Sequence, residues 1–474
     1  MDSTLACLAA WMPRQRWYAA KGRPPSLRLV AWWDLAPGSD DPADDLSPAD
    51  GGVRVRTFLV ADEGALPAVL YQIPIVERAT ETVDADPDHI VGSPTPGATF
   101  IDGPHDPAYA QALLRLIAEG GTAHGPQTLA LGRPSASGGH PGASGGHPAV
   151  RSARVMSGEQ SNTSVVYEGE GMPIICKVYR QLHAGLNPDI ELQEALAASG
   201  SAHVALPVGS IEGTWPDLTT AHGSVRGSLA FAQEFLPDVE DAWRVALRAA
   251  ARGDDFRDSA RALGAATADV HLALAGCFPT RAATAADRAA TAATWERRFS
   301  IAMAEVPEIA EQREAAAAVY RRALEVPWPA LQRIHGDYHL GQVLHSPERG
   351  WIVVDFEGEP LRPMTERTQP DLALRDVAGM LRSFDYVAGS LRRDDPSRST
   401  EAVRGWAREA RQAFVDGYAA ASGGDLDPRH PLLAALELDK AVYEAIYESR
   451  NRPTWVTIPL GAVARLVGRP AAVA

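Results

Sequence analysis

The apolar pattern of this chain shifts from mainly strand-like to mainly helical between Phe235 and Ala242, and that shift constrains the fold more than any other feature. Before it, short apolar or alternating runs recur at Leu27 to Trp33, Val53 to Ala61, Val69 to Val76, Val165 to Glu168, Pro173 to Tyr179 and Ser228 to Phe235. Runs of this length, bounded by Pro, Gly and Asp clusters, read as strands. After it, Ala-rich stretches at Arg244 to Ala251, Arg257 to Ala275 and Ala282 to Ala304 read as helices. Three helices are expected in the strand-rich half: Leu5 to Trp17, Pro107 to Glu119 with Ala110, Leu113, Leu114 and Ile117 on one face, and one opening at Asn187. Strands in one half and helices in the other predict an α+β chain whose first strands form a small antiparallel cap.

With 474 residues the chain is long enough for two or three domains. Its net charge of -15 and pI near 5.4 argue against nucleic acid or an anionic membrane as partner, because both demand basic surface. Cys7, Cys176 and Cys277 are odd in number and far apart, which gives neither a disulfide framework nor a metal spacing and suits a reducing cytoplasm. The opening Met1-Asp2-Ser3-Thr4 lacks a basic targeting region, and no apolar run reaches membrane-spanning length. A cytoplasmic protein, monomeric or weakly dimeric, is expected. The segment 133–149 repeats Ala-Ser-Gly-Gly-His-Pro and cannot bury enough apolar surface to offset its ordering entropy, so a mobile loop is expected there.

The chemistry concentrates in Ile334-His335-Gly336-Asp337-Tyr338-His339-Leu340-Gly341-Gln342 and, a dozen residues later, Ile352-Val353-Val354-Asp355-Phe356-Glu357. Transfer of a γ-phosphoryl group rests on positioning an acceptor hydroxyl and neutralising charge, with little covalent help from the protein. Asp337 is the candidate base for that hydroxyl. Magnesium prefers oxygen ligands, which Gln342 and Asp355 supply, the latter at the end of a strand running from Trp351 to Phe356. An isolated His-Gly-Asp could equally shape a turn; the full spacing with Val-Asp-Phe-Glu-Gly-Glu is far more specific. Farther on, Leu374 to Leu381 reads as a buried helix in which Asp376 either braces this loop or starts the helix, and His271 reads as a core histidine.

A second constellation precedes these. Ser161, Asn162, Thr163 and Ser164 follow Glu159-Gln160 and open a strand, and the next strand carries Lys177 within Ile-Ile-Cys-Lys-Val-Tyr. Such a strand-turn-strand presents amides and hydroxyls to nucleotide phosphates, with the strand lysine on the α- and β-phosphates. A lysine in a buried strand calls for a partner, and Glu191 is expected to be it, with Glu194 one turn on as the fallback. Asn187 and Pro188 suit the cap and first position of that helix, and Asp189 its positive end. Gln233 and Phe235, at the strand exit before Pro237, are where backbone groups of a hinge would meet adenine; an ordinary strand exit is the equal alternative.

The third constellation is a helix on which Lys440, Tyr443, Glu444, Tyr447 and Glu448 share one face, followed by Arg450-Asn451-Arg452-Pro453-Thr454-Trp455. It is either a solvated face held by a Lys440–Glu444 pair or a sugar site, where carboxylates accept hydroxyl hydrogen bonds and rings cover the sugar.

Together, Glu159 to Ser164, Lys177 to Arg180, His335 to Gln342, Asp355 to Pro360, Arg375 to Tyr386 and Asp439 to Trp455 resemble the actinobacterial maltokinases and glucosamine kinases, within the aminoglycoside phosphotransferase and choline kinase superfamily. Arg14 to Tyr18 and Lys21 extend the resemblance over nearly the whole chain. It implies a bilobal, protein-kinase-like fold: a cap subdomain (1–92), an intermediate subdomain with the nucleotide lobe (93–236) and a helical carboxy-terminal lobe (237–474). It implies ATP and Mg2+, Asp337 as base, Gln342 and Asp355 as metal ligands, and Lys177 held by Glu191. The sugar acceptor would meet His335, Asp337, Lys440, Tyr443, Glu444, Glu448, Arg452 and Trp455. Where maltokinases read Arg-His-Arg-Pro, this chain has Arg450-Asn451-Arg452-Pro453, which puts maltose, phosphorylated at its anomeric hydroxyl, in doubt; the acids gathered there point instead to an amino sugar, glucosamine phosphorylated at its 6-hydroxyl. A protein kinase would need an HRD loop and an APE segment, absent here, and an inactive kinase-like module would lack one of Lys177, Asp337, Gln342 or Asp355.

Overall fold

The computed structural model describes residues 2–35, 52–65, 67–137, 150–156, 161–220, 222–359, 362–424 and 429–468. Most of the Gly/Ser/Pro run, with its two histidines, and Glu159 and Gln160 lie outside these residues. The start expected for that loop is corrected: Arg133 and Pro134 complete the strand Thr128–Pro134 and pair with Ser210 and Gly209. Two compact units result, residues 1–198 with 205–237 and residues 199–204 with 238–474. The short piece 199–204, expected in the nucleotide lobe, belongs with the second unit because Val353 N donates to His203 O at 2.8 Å and Arg349 Nη2 to Val204 O at 2.6 Å.

In the first unit the strands Leu27–Leu35, Arg54–Asp62, Val69–Ala79, Ala98–Asp102 and Ile90–Gly92 lie side by side in that order, all antiparallel, and Gln181–Leu182 adds to Val69–Ala79. Alternation decides which core each side chain joins. Phe58, Val60, Tyr71, Ile73 and Ile75 meet Leu8, Trp11, Met12, Trp17 and Tyr18, whereas Val55, Leu59, Ala61, Leu70 and Val76 face the helix Pro107–Glu119. Both faces are therefore apolar, and the sheet is covered on both. The first helix spans only Asp2–Trp11, not the expected reach to Trp17: Pro13 lacks an N–H, and the chain tightens into the 3-10 turn Met12–Arg14. Helix Pro107–Glu119 begins where Asp106 accepts from Ala108 N and stops at Gly120, whose φ of 63° is left-handed.

A second antiparallel sheet orders Thr122–Gly125, Thr128–Pro134, Pro207–Pro216, Ser224–Glu234, Ile174–Tyr179, Asn162–Gly169 and Val150–Val155. Its first three strands were not legible as strands. Register places Lys177 between Ser164 and Phe231.

The second unit is mainly helical, with Ala242–Arg252, Arg257–Cys277, Ala285–Glu305, Arg313–Glu325, Leu374–Asp394, Thr400–Ser422, Pro431–Asn451 and Thr457–Val467 its chief helices. Among the described residues no helix is long and apolar enough to cross a membrane. Arg257–Cys277 and Thr400–Ser422 cross at glycines: a Cβ on Gly264 would lie 2.0 Å from Phe414 O, and one on Gly417 2.0 Å from Arg261 O. Gly264→Ala would gain about 1 kcal/mol of helix propensity, but forcing the backbones apart costs several times that. The variant should lose about 2 kcal/mol of unfolding free energy in urea denaturation; unchanged or greater stability would contradict the close crossing.

Candidate active site

The loop from Ile334 to Gln342 has little secondary structure of its own, so its backbone N–H groups need outside acceptors. Asp376, 1% exposed in the first turn of helix Leu374–Asp394, supplies them: Oδ2 accepts from His335 N at 2.8 Å and Oδ1 from Gly336 N at 3.0 Å. Of the two roles open to Asp376, this is the brace. His271 Nε2 lies 3.1 Å from Asp376 Oδ2 and its Nδ1 3.0 Å from Tyr418 Oη, so His271 is a core residue that fixes the brace. The same helix passes so close to the loop that a Cβ on Gly379 would lie 2.4 Å from Tyr338 O.

The brace leaves Asp337 partly exposed, its side chain at 23%. His335, expected to meet the acceptor, is instead 3% exposed and turned inward. Its Nδ1 accepts from Asp337 N at 3.3 Å and its Nε2 lies 3.0 Å from Val354 O, which puts the proton on Nε2 and makes the ring a strut between the Asp337 loop and the acidic segment. His339 Nδ1 accepts from Gly341 N, and burial holds this imidazole below its usual range, in keeping with the acceptor role. Gln342 Nε2 donates to Asp355 Oδ2 at 3.0 Å, so the two expected metal ligands touch. The strand before Asp355 ends at Val353, short of the expected Phe356, because Val354 N turns to Gln342 O and Asp355 takes a φ of 66°. A left-handed non-glycine residue costs on the order of 1–3 kcal/mol and is concentrated at functional positions. Two adjacent oxygen-bearing side chains, one held in this aimed geometry, fit a hard cation such as magnesium.

The helix Pro431–Asn451 does not present a solvated face. Lys440 Nζ lies 2.7 Å from Glu359 Oε1 and 3.4 Å from Asp337 Oδ1, and Glu444 pairs with the buried Arg382 at 2.7 Å, so the anticipated Lys440–Glu444 bridge gives way to longer-range partners. Burial raises the Glu444 carboxyl despite Arg382, whereas at Glu359 the penalty of burial is outweighed by Lys440 and Arg362, which hold its carboxyl at about 2. Tyr443 lies with its ring 5.3 Å from Lys440 Nζ. Glu448, 1% exposed, accepts from Tyr386 Oη at 3.0 Å and from Arg452 Nε and Nη2. Trp455 is stacked with Tyr386 and has the Arg393 guanidinium 3.8 Å from its centroid. The structure thus gathers Asp337, Lys440 and Tyr443 into one group and Glu444, Glu448, Arg452 and Trp455 into another around Arg382 and Tyr386. A polar cavity beside the first is lined by Gly336, Glu359, Lys440, Asp439, Arg298 and Arg375 among others. Glu359, Asp439 and Arg298 escaped the sequence reading. For Glu359 the signal was present, as the last acid of Asp-Phe-Glu-Gly-Glu.

The first unit carries the remaining candidates. Lys177 Nζ lies 3.0 Å from Asp189 Oδ2, so the acid placed on this lysine comes two residues before the expected Glu191. Asp189 is 1% exposed, its N donates to Asn187 Oδ1 at 2.9 Å and its Oδ1 accepts from Gln193 Nε2 at 2.7 Å; Asn187 is the cap that its position suggested. Thr163 Oγ1 accepts from Arg180 Nε at 2.8 Å, and the fully buried Arg180 reaches both oxygens of Asp102, tying the Ser161–Ser164 strand to the cap sheet. At the expected hinge, Gln233 is paired within the sheet, and the N–H groups of Glu234 and Phe235 already bond to Leu206 O and Pro173 O, so those two amides are committed within the unit.

Comparison with known proteins matches residues 152–432 to the phosphotransferase enzyme family and residues 11–106 to the maltokinase N-terminal cap domain. The chain belongs to the phosphotransferase enzyme family. It is 34% identical over 290 residues to a glucosamine kinase of Streptacidiphilus jiangxiensis, an alignment covering 58% of this chain and 64% of that protein. It is 30% identical over 332 residues to a glucosamine kinase of Mycolicibacterium smegmatis, covering 67% and 80%. A solved glucosamine kinase, in complex with glucosamine, ADP and inorganic phosphate, superposes with a TM-score of 0.65 at 24% identity over 97% of this chain and 98% of that one. The fold is accordingly kinase-like with an amino-terminal cap. For this family member, the brace makes a direct prediction. Asp376→Ala strands two loop amides and His271 without their acceptor and should cost about 3 kcal/mol in urea unfolding, with Asp376→Asn in between. A loss under about 0.5 kcal/mol would contradict the role of Asp376.

Proposed function

We propose that this protein is an ATP- and magnesium-dependent kinase of a small sugar, with glucosamine, phosphorylated at its 6-hydroxyl, as the preferred acceptor. The observation that carries the reading is the Asp337 loop: a partly exposed carboxylate on a braced backbone, with Lys440 at 3.4 Å and the Gln342–Asp355 pair held to the same loop by His335. Asp337 takes the proton of the acceptor hydroxyl as that oxygen attacks the γ-phosphorus and the bond to ADP breaks. Gln342 and Asp355 would hold the magnesium, whose chemistry is to neutralise phosphate charge. Lys177, kept extended by Asp189, would contact the nucleotide phosphates, with Ser161 to Ser164 supplying hydroxyls and amides and Gln233 and Phe235 lying near the base. Glu191 stays a candidate second acid for Lys177.

Glucosamine is favoured because two relatives, at 34% and 30% identity, are glucosamine kinases. Maltose phosphorylated at its anomeric hydroxyl is the second reading, on the maltokinase-type cap. The enzyme is read as cytoplasmic, acting on a free sugar as a monomer or weak dimer.

Incubation with ATP and Mg2+ and each of glucosamine, maltose and glucose, followed by ADP release, should give turnover with glucosamine at least about tenfold above the others, equivalent to a 1.4 kcal/mol preference. Turnover with maltose alone would select the second reading, and turnover with none would remove both. Asp337→Asn should abolish turnover, by about 10³-fold or more, while nucleotide affinity measured by calorimetry changes little; retained activity would take Asp337 out of the base role.

A further inference from the structure

We infer that Glu359 is a positioning residue that sets the basicity of Asp337 by holding the Lys440 ammonium at a distance from it. The inference rests on the reading of Asp337 as the base. Lys440 Nζ has two carboxylate neighbours, Glu359 Oε1 at 2.7 Å and Asp337 Oδ1 at 3.4 Å. The first is a full charge-assisted hydrogen bond and the second a looser contact. Glu359 is the better buried of the two acids, 13% against 23% for the side chains, and Arg362 Nε lies 3.3 Å from its other oxygen. Lys440 is therefore anchored to Glu359 and leans toward Asp337.

The chemical consequence follows from competing demands on Asp337. A cation pressed against a carboxylate favours the charged form and makes it a poorer proton acceptor, and an uncompensated buried lysine 3.4 Å away would do this strongly. A neutralising acid on the far side of the lysine draws the ammonium away from Asp337 and weakens that pull. The other groups facing Asp337 are His335 and His339 on its own loop, Arg367 on the helix Met364–Arg367, and Tyr443 beside Lys440. Of these Arg367 is the other cation; burial lowers its guanidinium, while Glu357, Asp337 and Glu359 all favour its charged form. Burial lowers the Lys440 ammonium, yet Glu359 first and Asp337 second outweigh it and keep it fully protonated, so its charge is constant across the working pH range.

The test is the acidic limb of the pH profile of kcat/KM for the sugar, at saturating ATP and Mg2+, in wild type, Glu359→Gln, Glu359→Asp, Lys440→Met and the double variant Glu359→Gln/Lys440→Met. With its acid gone, Lys440 turns wholly onto Asp337. The limb in Glu359→Gln should move about one pH unit lower and plateau kcat fall about 3- to 10-fold, because a less basic carboxylate is a weaker general base. Glu359→Asp keeps the charge and should keep the limb near its wild-type place. Lys440→Met should move the limb upward, and the double variant should lie much closer to Lys440→Met alone than to the sum of the two single shifts, because Glu359 acts chiefly through the lysine. A merely structural Glu359 would lower kcat or stability and leave the limb unmoved, which overturns the inference, as would an additive double variant. If Glu359→Gln did not fold, Lys440→Met carries the test, and an unmoved limb there is equally fatal. The two claims fail separately: an active Asp337→Asn enzyme removes the base, whereas an inactive one with an unmoved limb in Glu359→Gln removes only the role of Glu359.

Discussion

Asp376 is the interaction on which the rest of the second unit depends. One buried carboxylate receives the backbone N–H groups of His335 and Gly336 together with the imidazole of His271, and these donors satisfy a charge that burial would otherwise make very costly. The loop held this way needs no regular structure of its own. Its first ordered product is the inward strut of His335, which ties Asp337 to the backbone of Val354 and so to the bend that aims Asp355. The Asp337 loop and the acidic segment are therefore one mechanical assembly, built on a helix rather than on the loop's own contacts.

Among the described residues buried charge in this unit is mostly paired, and many of the pairs join into two connected groups. Asp337, Glu359 and Lys440 with Arg362 form one, and Arg382, Glu444 and Asp385 form the other, with Glu437 joined to Asp385 through Arg411 and Arg465. Replacing such pairs by apolar residues is often neutral or stabilising, so their presence is weak evidence for stability. Their value lies in placement: an ammonium and a carboxylate with their partners already in position require little reorganisation when a polar acceptor arrives.

Much of this was legible in the sequence, for identifiable reasons. Helix Pro107–Glu119 has both a cap acid and a terminating glycine, and its boundaries follow from them. Lys177 declared itself because a charge in a buried strand must have a partner. What stayed hidden was set by tertiary packing. Strand Thr128–Pro134 carries Gly132, where a Cβ would lie 1.8 Å from Leu116 O; the small residue that the packing demands is also one that blurs the alternation. The acid on Lys177 came from Asp189 because Asn187 and Gln193 orient it, a choice that composition at the helix start does not reveal. Beyond a neighbour one helical turn away, Glu359 and Arg382 take their partners Lys440 and Glu444 from 81 and 62 positions away. The histidine of the His-Gly-Asp triplet invited a functional role, and the fold uses it as a strut.

The central claim is that Asp337 activates a sugar hydroxyl for attack on ATP, and the position of the new phosphate tests it most directly. Phosphorus-31 NMR of the product formed from glucosamine, ATP and Mg2+ should show a phosphomonoester coupled to the two protons of the C6 methylene, and no such signal with Asp337→Asn. A product phosphorylated at the anomeric carbon, or the same C6 ester formed by Asp337→Asn at the wild-type rate, would contradict the account.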